Sequence, residues 1–284
     1  EPSLVKLIFD FVFVPCSEDK EGKHKYIRVM PAPGTNTISE KAFYKNTILK
    51  FIIIDDSVKT IDSLCFYKCS SMTDIIIPNT VETIGYSSFN GCLSLTHLNI
   101  PDSVKTIGKG AFHSCSWLTH VIIPNSVTYI GKCAFYGCSS LTHVIIPDSM
   151  KNIEDDTFYW CSSLTHVTIP DSVKTIGSRA FYGCEKLKHI VIPNSVPSID
   201  YYAFYCCTSL THLTIPDSVK TIGYCVFYSC SSLTEVIIGN SVEMIDIYAF
   251  KFCSSIKKVS IPKHLEEEVK ENGMFPERTE IIVR

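Results

Sequence analysis

The sequence predicts a repeat solenoid: a right-handed coil of 23-residue units with a parallel β-sheet face, short second extended segments and short helical or 3-10 turns, capped at both ends. Three observations predict it. Phe recurs at positions 43, 66, 89, 112, 135, 158, 181, 204, 227 and 250 without a slip, so one supersecondary unit is stacked on copies of itself. Cys keeps the same 23-residue step at positions 69, 92, 115, 138, 161, 184, 207, 230 and 253. The stretch Leu164 to Lys186, LTHVTIPDSVKTIGSRAFYGCEK, superimposes on its neighbours at that shift and carries strand, turn, second strand and second turn in order.

Residues 1–37 hold two alternating apolar pieces, Leu4 to Val14 and Tyr26 to Met30, around the charged stretch Ser17 to Lys25. That is the pattern of a hairpin covering the open edge of the first coil. The run Leu4 to Val14 is short and interrupted by Asp10, so it reads as strand, not as a leader or a spanning helix. The repeats occupy residues 38–262, TISEKAF at Thr37 to Phe43 being already the second half of a unit.

Within each unit, Leu164, Val167 and Ile169, like Leu141, Val144 and Ile146 before them, take the inward phase of a strand. Pro170 and its counterparts, followed by Asp or Asn, end the strand, because Pro presets φ and the Asx side chain bonds nearby backbone. Val173 and Ile176 point inward again, and Gly177 lets the chain bend before the Ala-Phe segment. Asp or Glu replaces that Gly at 62, 154, 200 and 246, which argues against a strict positive-φ requirement there. Residues 263–284 form the closing cap, with helix-forming composition from Pro262 to Asn272, Gly273 at C′, and strand from Glu280 to Val283. The three parts read as one continuous domain.

Composition narrows the function classes. A hydrophobic content of 45% supplies a core, and a net charge of −3 gives no bulk attraction to nucleic acid or anionic membrane. The cysteine ladder belongs to the repeat, so small buried thiols are the first reading, with disulfides between neighbouring rungs left open. No C-x-x-C pair exists, and the adjacent pair Cys206 and Cys207 has no His at zinc-site spacing, so neither metal nor cofactor is expected. Catalysis needs unlike residues converging on a cleft, whereas a ladder repeats one residue sideways; no enzyme is expected.

The unit L-x-x-[VIL]-x-I-P-[DN]-S-V-x-x-I-G-x-x-A-F-x-x-C resembles the BspA-like, or Treponema pallidum type, leucine-rich repeats over about residues 38–262. The departures are mild: Gly239 stands for the turn Pro, Pro197 intrudes in the second extended segment, and Trp160 replaces a small residue before Cys161. The resemblance implies a leucine-rich-repeat solenoid with a parallel sheet on one face, from a family in which several members are surface proteins implicated in adhesion to host proteins. It thus implies a non-catalytic scaffold for protein recognition at the cell surface or in a secreted form.

The residues that would do this lie in three outward rows of the first strand. One is Thr, including Thr119, Thr142 and Thr165; the next is His97, His120, His143, His166, His189 and His212; the third, with Ile122, Ile145 and Thr168, is apolar or β-branched where solvent exposure is expected. The His row has two readings, a polar residue copied by duplication or a strip of imidazoles that repel one another once charged. A tyrosine stripe, Tyr44, Tyr67, Tyr136, Tyr159, Tyr182, Tyr205 and Tyr228, follows the Phe rung and suits either packing or an interface. Ice or mineral templating is disfavoured by bulky His between the rows. The alternative to surface adhesion is an intracellular adaptor or assembly protein, favoured by the thiol-rich core and the lack of any N-x-S/T sequon. The partner is a protein, and neither nucleic acid nor membrane insertion is expected.

Overall fold

The computed structural model describes residues 12–15, 27–30 and 34–284. It divides into two compact units, residues 1–141 and 142–284.

In the first unit Val12–Pro15 pairs antiparallel with Ile27–Met30, Val12 opposite Met30. These are the described parts of the expected hairpin; the rest of Leu4 to Val14 and of Ser17 to Lys25 lies outside the described residues. Ile27–Met30 then pairs parallel with Phe51–Ile54, and that strand with Asp74–Ile76. Further along, His97–Asn99 pairs parallel with His120–Ile122. A second, five-stranded parallel sheet joins Thr37–Ile38, Thr60–Ile61, Thr83–Ile84, Thr106–Ile107 and Tyr129–Ile130. Each step in it pairs residues 23 apart, as Thr37 with Thr60.

The second unit repeats the scheme. His143–Ile145 pairs with His166–Thr168, and a four-stranded sheet runs through His212–Thr214, Glu235–Ile237, Lys258–Ile261 and Glu280–Val283. Asn152–Ile153, Thr175–Ile176, Ser198–Ile199, Thr221–Ile222 and Met244–Ile245 build its second sheet. The chain then makes a 3-10 turn, Lys263–Leu265, and a helix, Glu266–Glu271, which bury Leu265 and Val269. Gly273, at φ +55°, reverses the chain toward the last strand.

Parallel strands this short survive because the coils bury their inward residues in a common core within each unit. All ten ladder phenylalanines are at most 2% exposed. Within each unit their rings stack at 5.1 to 5.4 Å between centroids. The ladder cysteines sit beside them, and within each unit their thiols donate to the carbonyl of a Phe 26 residues earlier, as Cys115 to Phe89 at 3.2 Å and Cys207 to Phe181 at 3.4 Å. Burial pushes the Cys69 and Cys115 thiols up to about 12, and Cys184 and Cys230 well above the usual value. The thirteen described cysteines are free thiols.

The segment around each Phe is a chain of turns closed by i to i+3 bonds of the 3-10 kind, such as Ala42 N–H to Ser39 O at 3.2 Å and Tyr44 N–H to Lys41 O at 3.0 Å. The intervening amides reach the next coil: Phe43 N–H donates to Cys65 O at 2.8 Å and Lys45 N–H to Tyr67 O at 2.6 Å. This alternation needs left-handed backbone two residues before and two after the Phe. Non-glycine residues hold it at Lys41 and Lys45, Leu64 and Lys68, and Asp156 and Trp160. The glycines that repeat before the Ala-Phe segment do something else: a Cβ at Gly108 would come within 2.6 Å of the Gly85 carbonyl carbon, so these positions admit close approach between coils.

The strand-ending turns are closed by the Pro carbonyl, Val104 N–H donating to Pro101 O at 3.0 Å. The Asx side chains serve two uses. Asp55 Oδ1 accepts from the Ser57 amide of its own turn at 2.9 Å, while Asn79 Oδ1 accepts from Ser103 N–H of the following coil at 3.1 Å.

Candidate partner-binding face

Where the first strand of a coil has three residues, its pleat sends the middle one inward. In His97–Asn99, His120–Ile122, His143–Ile145 and His212–Thr214 the outer two are exposed and the middle one buried; in His166–Thr168 the middle Val167 is half-buried. His189 is also exposed. All six histidines of the row therefore face solvent, with Ile122, Ile145 and Thr168 exposed two residues on.

The threonines preceding them, Thr119, Thr142 and Thr165, are half-buried. Thr119 Oγ1 donates to Thr96 O at 3.0 Å, and Thr165 Oγ1 to Thr142 O at 3.0 Å, tying each coil to the one before it. His120 Nδ1 lies 3.0 Å from Thr119 Oγ1 and His166 Nδ1 2.9 Å from Thr165 Oγ1. Because each hydroxyl has spent its proton on a carbonyl, the imidazole Nδ1–H is the donor, which leaves Nε2 as acceptor on an exposed ring. The same Thr–His contact recurs at His97, His143 and His212. Rings in register stack in parallel, His97 on His120 at 6.0 Å and His143 on His166 at 5.0 Å, both at an interplanar angle of 3°.

Beside the imidazoles runs the apolar row. Ile122 is 70%, Ile145 69% and Val191 75% exposed, values that a folding role does not explain. Toward the end of the second unit the pattern turns polar, with Glu235 and Lys258 in register and 3.7 Å apart.

Two features lay beyond the sequence reading. Residues 188–193 form no strand, although their pattern matches the repeat. In the second segment of the same coil, Pro197 lacks the N–H through which its counterparts Lys174 and Lys220 donate to the preceding coil at 2.7 and 2.8 Å. A groove of about 610 Å³ opens at this place, lined among others by His189, Val191, His212, Thr214, Ile237 and Arg284. The second feature is the exposed Trp117, 65% accessible in the turn that precedes His120–Ile122. Among the described residues, no group of three or more His, Cys, Asp or Glu is placed to hold a metal ion, and no helix is long and apolar enough to cross a membrane.

The tyrosine stripe packs on itself. Tyr159, Tyr182, Tyr205 and Tyr228 stack in sequence at 4.5 to 4.8 Å in the second unit, as Tyr44 does on Tyr67 at 4.9 Å in the first. Burial and the flanking phenols push the Tyr182 hydroxyl up to about 12.

Comparison with known proteins agrees with this geometry. The chain matches the family model described as a BspA type leucine-rich repeat region, in six copies, over residues 36–165 and 151–275. Among solved structures it is similar to a leucine-rich repeat protein from Bacteroides ovatus ATCC 8483, with 23% identity, coverage of 98% of this chain and 99% of that one, and a TM-score of 0.51. A leucine-rich repeat protein of T. pallidum is 21% identical, with coverage of 96% and 98% and a TM-score of 0.53. One from Eubacterium ventriosum ATCC 27560 is 19% identical, with coverage of 91% and 78% and a TM-score of 0.51. At these identities the likeness is one of fold. No curated protein matches the chain.

Proposed function

The chain belongs to the BspA-type leucine-rich repeat family, and from that premise we propose a non-catalytic scaffold that recognises a protein partner through the outward strand rows, as a surface protein in adhesion or host-protein binding. The observation that carries this reading is the apolar row, Ile122, Ile145 and Val191, about seven-tenths exposed beside imidazoles whose Nε2 atoms offer acceptors. Apolar area supplies affinity and the acceptors supply register, the division of labour usual at protein interfaces. The inward residues of the same strands are committed to the core and supply neither.

The experiment is capture of host matrix proteins and of lysate proteins on the immobilised chain, beside the triple variant His120→Asp, His143→Asp and His166→Asp. Loss of capture with an unchanged thermal melt supports the strand face. Capture that survives in the variant moves the site to the tyrosine edge or the ends of the chain.

One observation favours a second reading, an intracellular adaptor: the thirteen described cysteines are free, and such a thiol content suits a reducing compartment. Counting thiols in denatured, unreduced protein isolated from its source separates the two. Disulfides would support the surface reading, and a full complement of thiols the intracellular one.

A further inference from the structure

The tyrosine ladder of the first unit lacks a rung. Tyr44 stacks on Tyr67 at 4.9 Å, and His113 stacks on Tyr136 at 4.5 Å and 3°. Between Tyr67 and His113 the same position is Asn90, followed by Gly91. One face of the Tyr67 ring and one face of the His113 ring are therefore left without an aromatic neighbour in the ladder. Two coil steps of ~4.8 Å separate those faces by roughly 9 to 10 Å. A flat ring placed midway lies about 4.8 Å from each, close to the 4.9 and 4.5 Å between centroids that the ladder's own neighbouring rings adopt.

The place is a groove of about 670 Å³, lined by Lys45, Tyr67, Lys68, Asn90, Leu93 and His113 among others. Its surface is mainly apolar, and Leu93 at its rim is 45% exposed. Asn90 is half-buried, and its carboxamide has no hydrogen-bond partner among the described residues. Gly91 keeps the wall open, since a Cβ there would lie 3.0 Å from Lys68 Cγ. Two ammonium groups overlook the groove: Lys45 Nζ stands 5.1 Å from the Tyr44 centroid and Lys68 Nζ 5.4 Å from that of Tyr67. No carboxylate lines it, and neither lysine is in an ion pair among the described residues. His113 is held below the usual imidazole value by burial, so near neutral pH it offers an uncharged aromatic face.

We infer that this vacant rung is a binding site for an aromatic side chain carried on an acidic peptide segment of a partner, the ring entering between Tyr67 and His113 and the acidic groups meeting Lys45 and Lys68. The site is separate from the strand rows and does not depend on their role. Stacking fixes the ring, the lysines select against basic flanks, and the Asn90 carboxamide stands ready to bond a phenol or the peptide backbone.

The test uses the full chain and a fluorescein-labelled peptide with one Tyr between pairs of Asp, read by fluorescence anisotropy. The wild-type chain should bind it, and Asn90→Tyr should weaken binding by about tenfold or more, because it completes the ladder with the residue other coils already carry. Replacing Tyr by Leu in the peptide should cost a similar factor. The double variant Lys45→Gln and Lys68→Gln should bind more weakly and lose most of its salt dependence; it tests the site even if Asn90→Tyr folds poorly. Equal binding by Asn90→Tyr and the wild type, equal binding of the Leu peptide, or binding of a sulfated oligosaccharide but not of the peptide would each overturn the proposal.

Discussion

The phenylalanine ladder and the tyrosine ladder run at the same 23-residue step, one residue apart, yet only the outer one has a gap. Inside, ten of ten positions are Phe and all are buried. Outside, Asn90 and His113 interrupt the tyrosines, and residues such as Tyr44 remain 39% exposed. The difference follows from what fills a vacancy. A missing ring in the core leaves a void that neighbours close only partly, at a cost that rises with its volume. A missing ring at the surface is filled by water at little cost. The inner rows therefore record the requirements of folding, whereas the outer rows are free to be shaped by what they touch.

Substitutions should break this contrast in a definite order. Phe158→Ala, which removes a fully buried ring stacked on Phe181, should cost about 3 to 5 kcal/mol in urea denaturation. Tyr182→Ala, on the outer ladder, should cost less, about 1 to 2 kcal/mol. Comparable losses would erase the distinction between the ladders.

The thiols give the next effect. Their folded values are raised, to about 12 at Cys69 and Cys115 against an ordinary 9.0, because burial disfavours the thiolate. The unfolded chain releases those protons first, so the contribution of the ladder is complete below pH 9 and is lost as pH rises toward 12. Thermal melts at pH 7.5 and 10.5 should show a marked drop, reduced in Cys115→Ala. In the folded protein at pH 8 the half-buried Cys133 and Cys206 should alkylate before any ladder cysteine.

A smaller change of opposite sign is expected at the turns. Lys68 holds left-handed backbone at φ 56°, so Lys68→Gly should stabilise by roughly 0.5 to 1 kcal/mol in the same denaturation assay, net of the flexibility glycine adds to the unfolded chain. The mildest effect is local. Hydrogen bonds from Lys263 and Lys270 hold the Glu266 carboxyl down to about 2 from its usual 4.5, so support for the helix Glu266–Glu271 is complete above pH 4.5 and lost as pH falls toward 2. Amide exchange across 266–271 should accelerate over that window, and Glu266→Gln should exchange fast throughout.

Most of the coil was legible in the sequence because its determinants are periodic and local: inward Leu, Val and Ile, the strand-ending Pro, and the Phe and Cys rungs. The outward orientation of His120 and Ile122 followed from the same alternation. Left-handed backbone at Lys41 or Trp160 was not legible, since glycine marks such positions only at 91, 110, 137 and 183 within the repeats, and elsewhere hydrogen bonds to the next coil impose it. The bond from Thr165 to Thr142 O, which settles the tautomer of His166, joins residues 23 apart and has no local signature. The break at residues 188–193 carried no signature in its own segment, whose letters match the repeat. Asn90 was visible as a letter, but only stacking geometry shows that the rings of Tyr67 and His113 on either side of it lack an aromatic neighbour there.

The central claim is that the outward strand rows carry recognition while the inward rows carry the fold. Histidine side-chain NMR of the chain, recorded with and without a captured partner, tests it most directly. Imidazole signals of the strand histidines, among them His120, His143 and His166, should shift or broaden on binding, while His264, whose Nε2 meets Val242 O at 2.7 Å, stays in place. A partner that binds and leaves every strand histidine unmoved would contradict the claim.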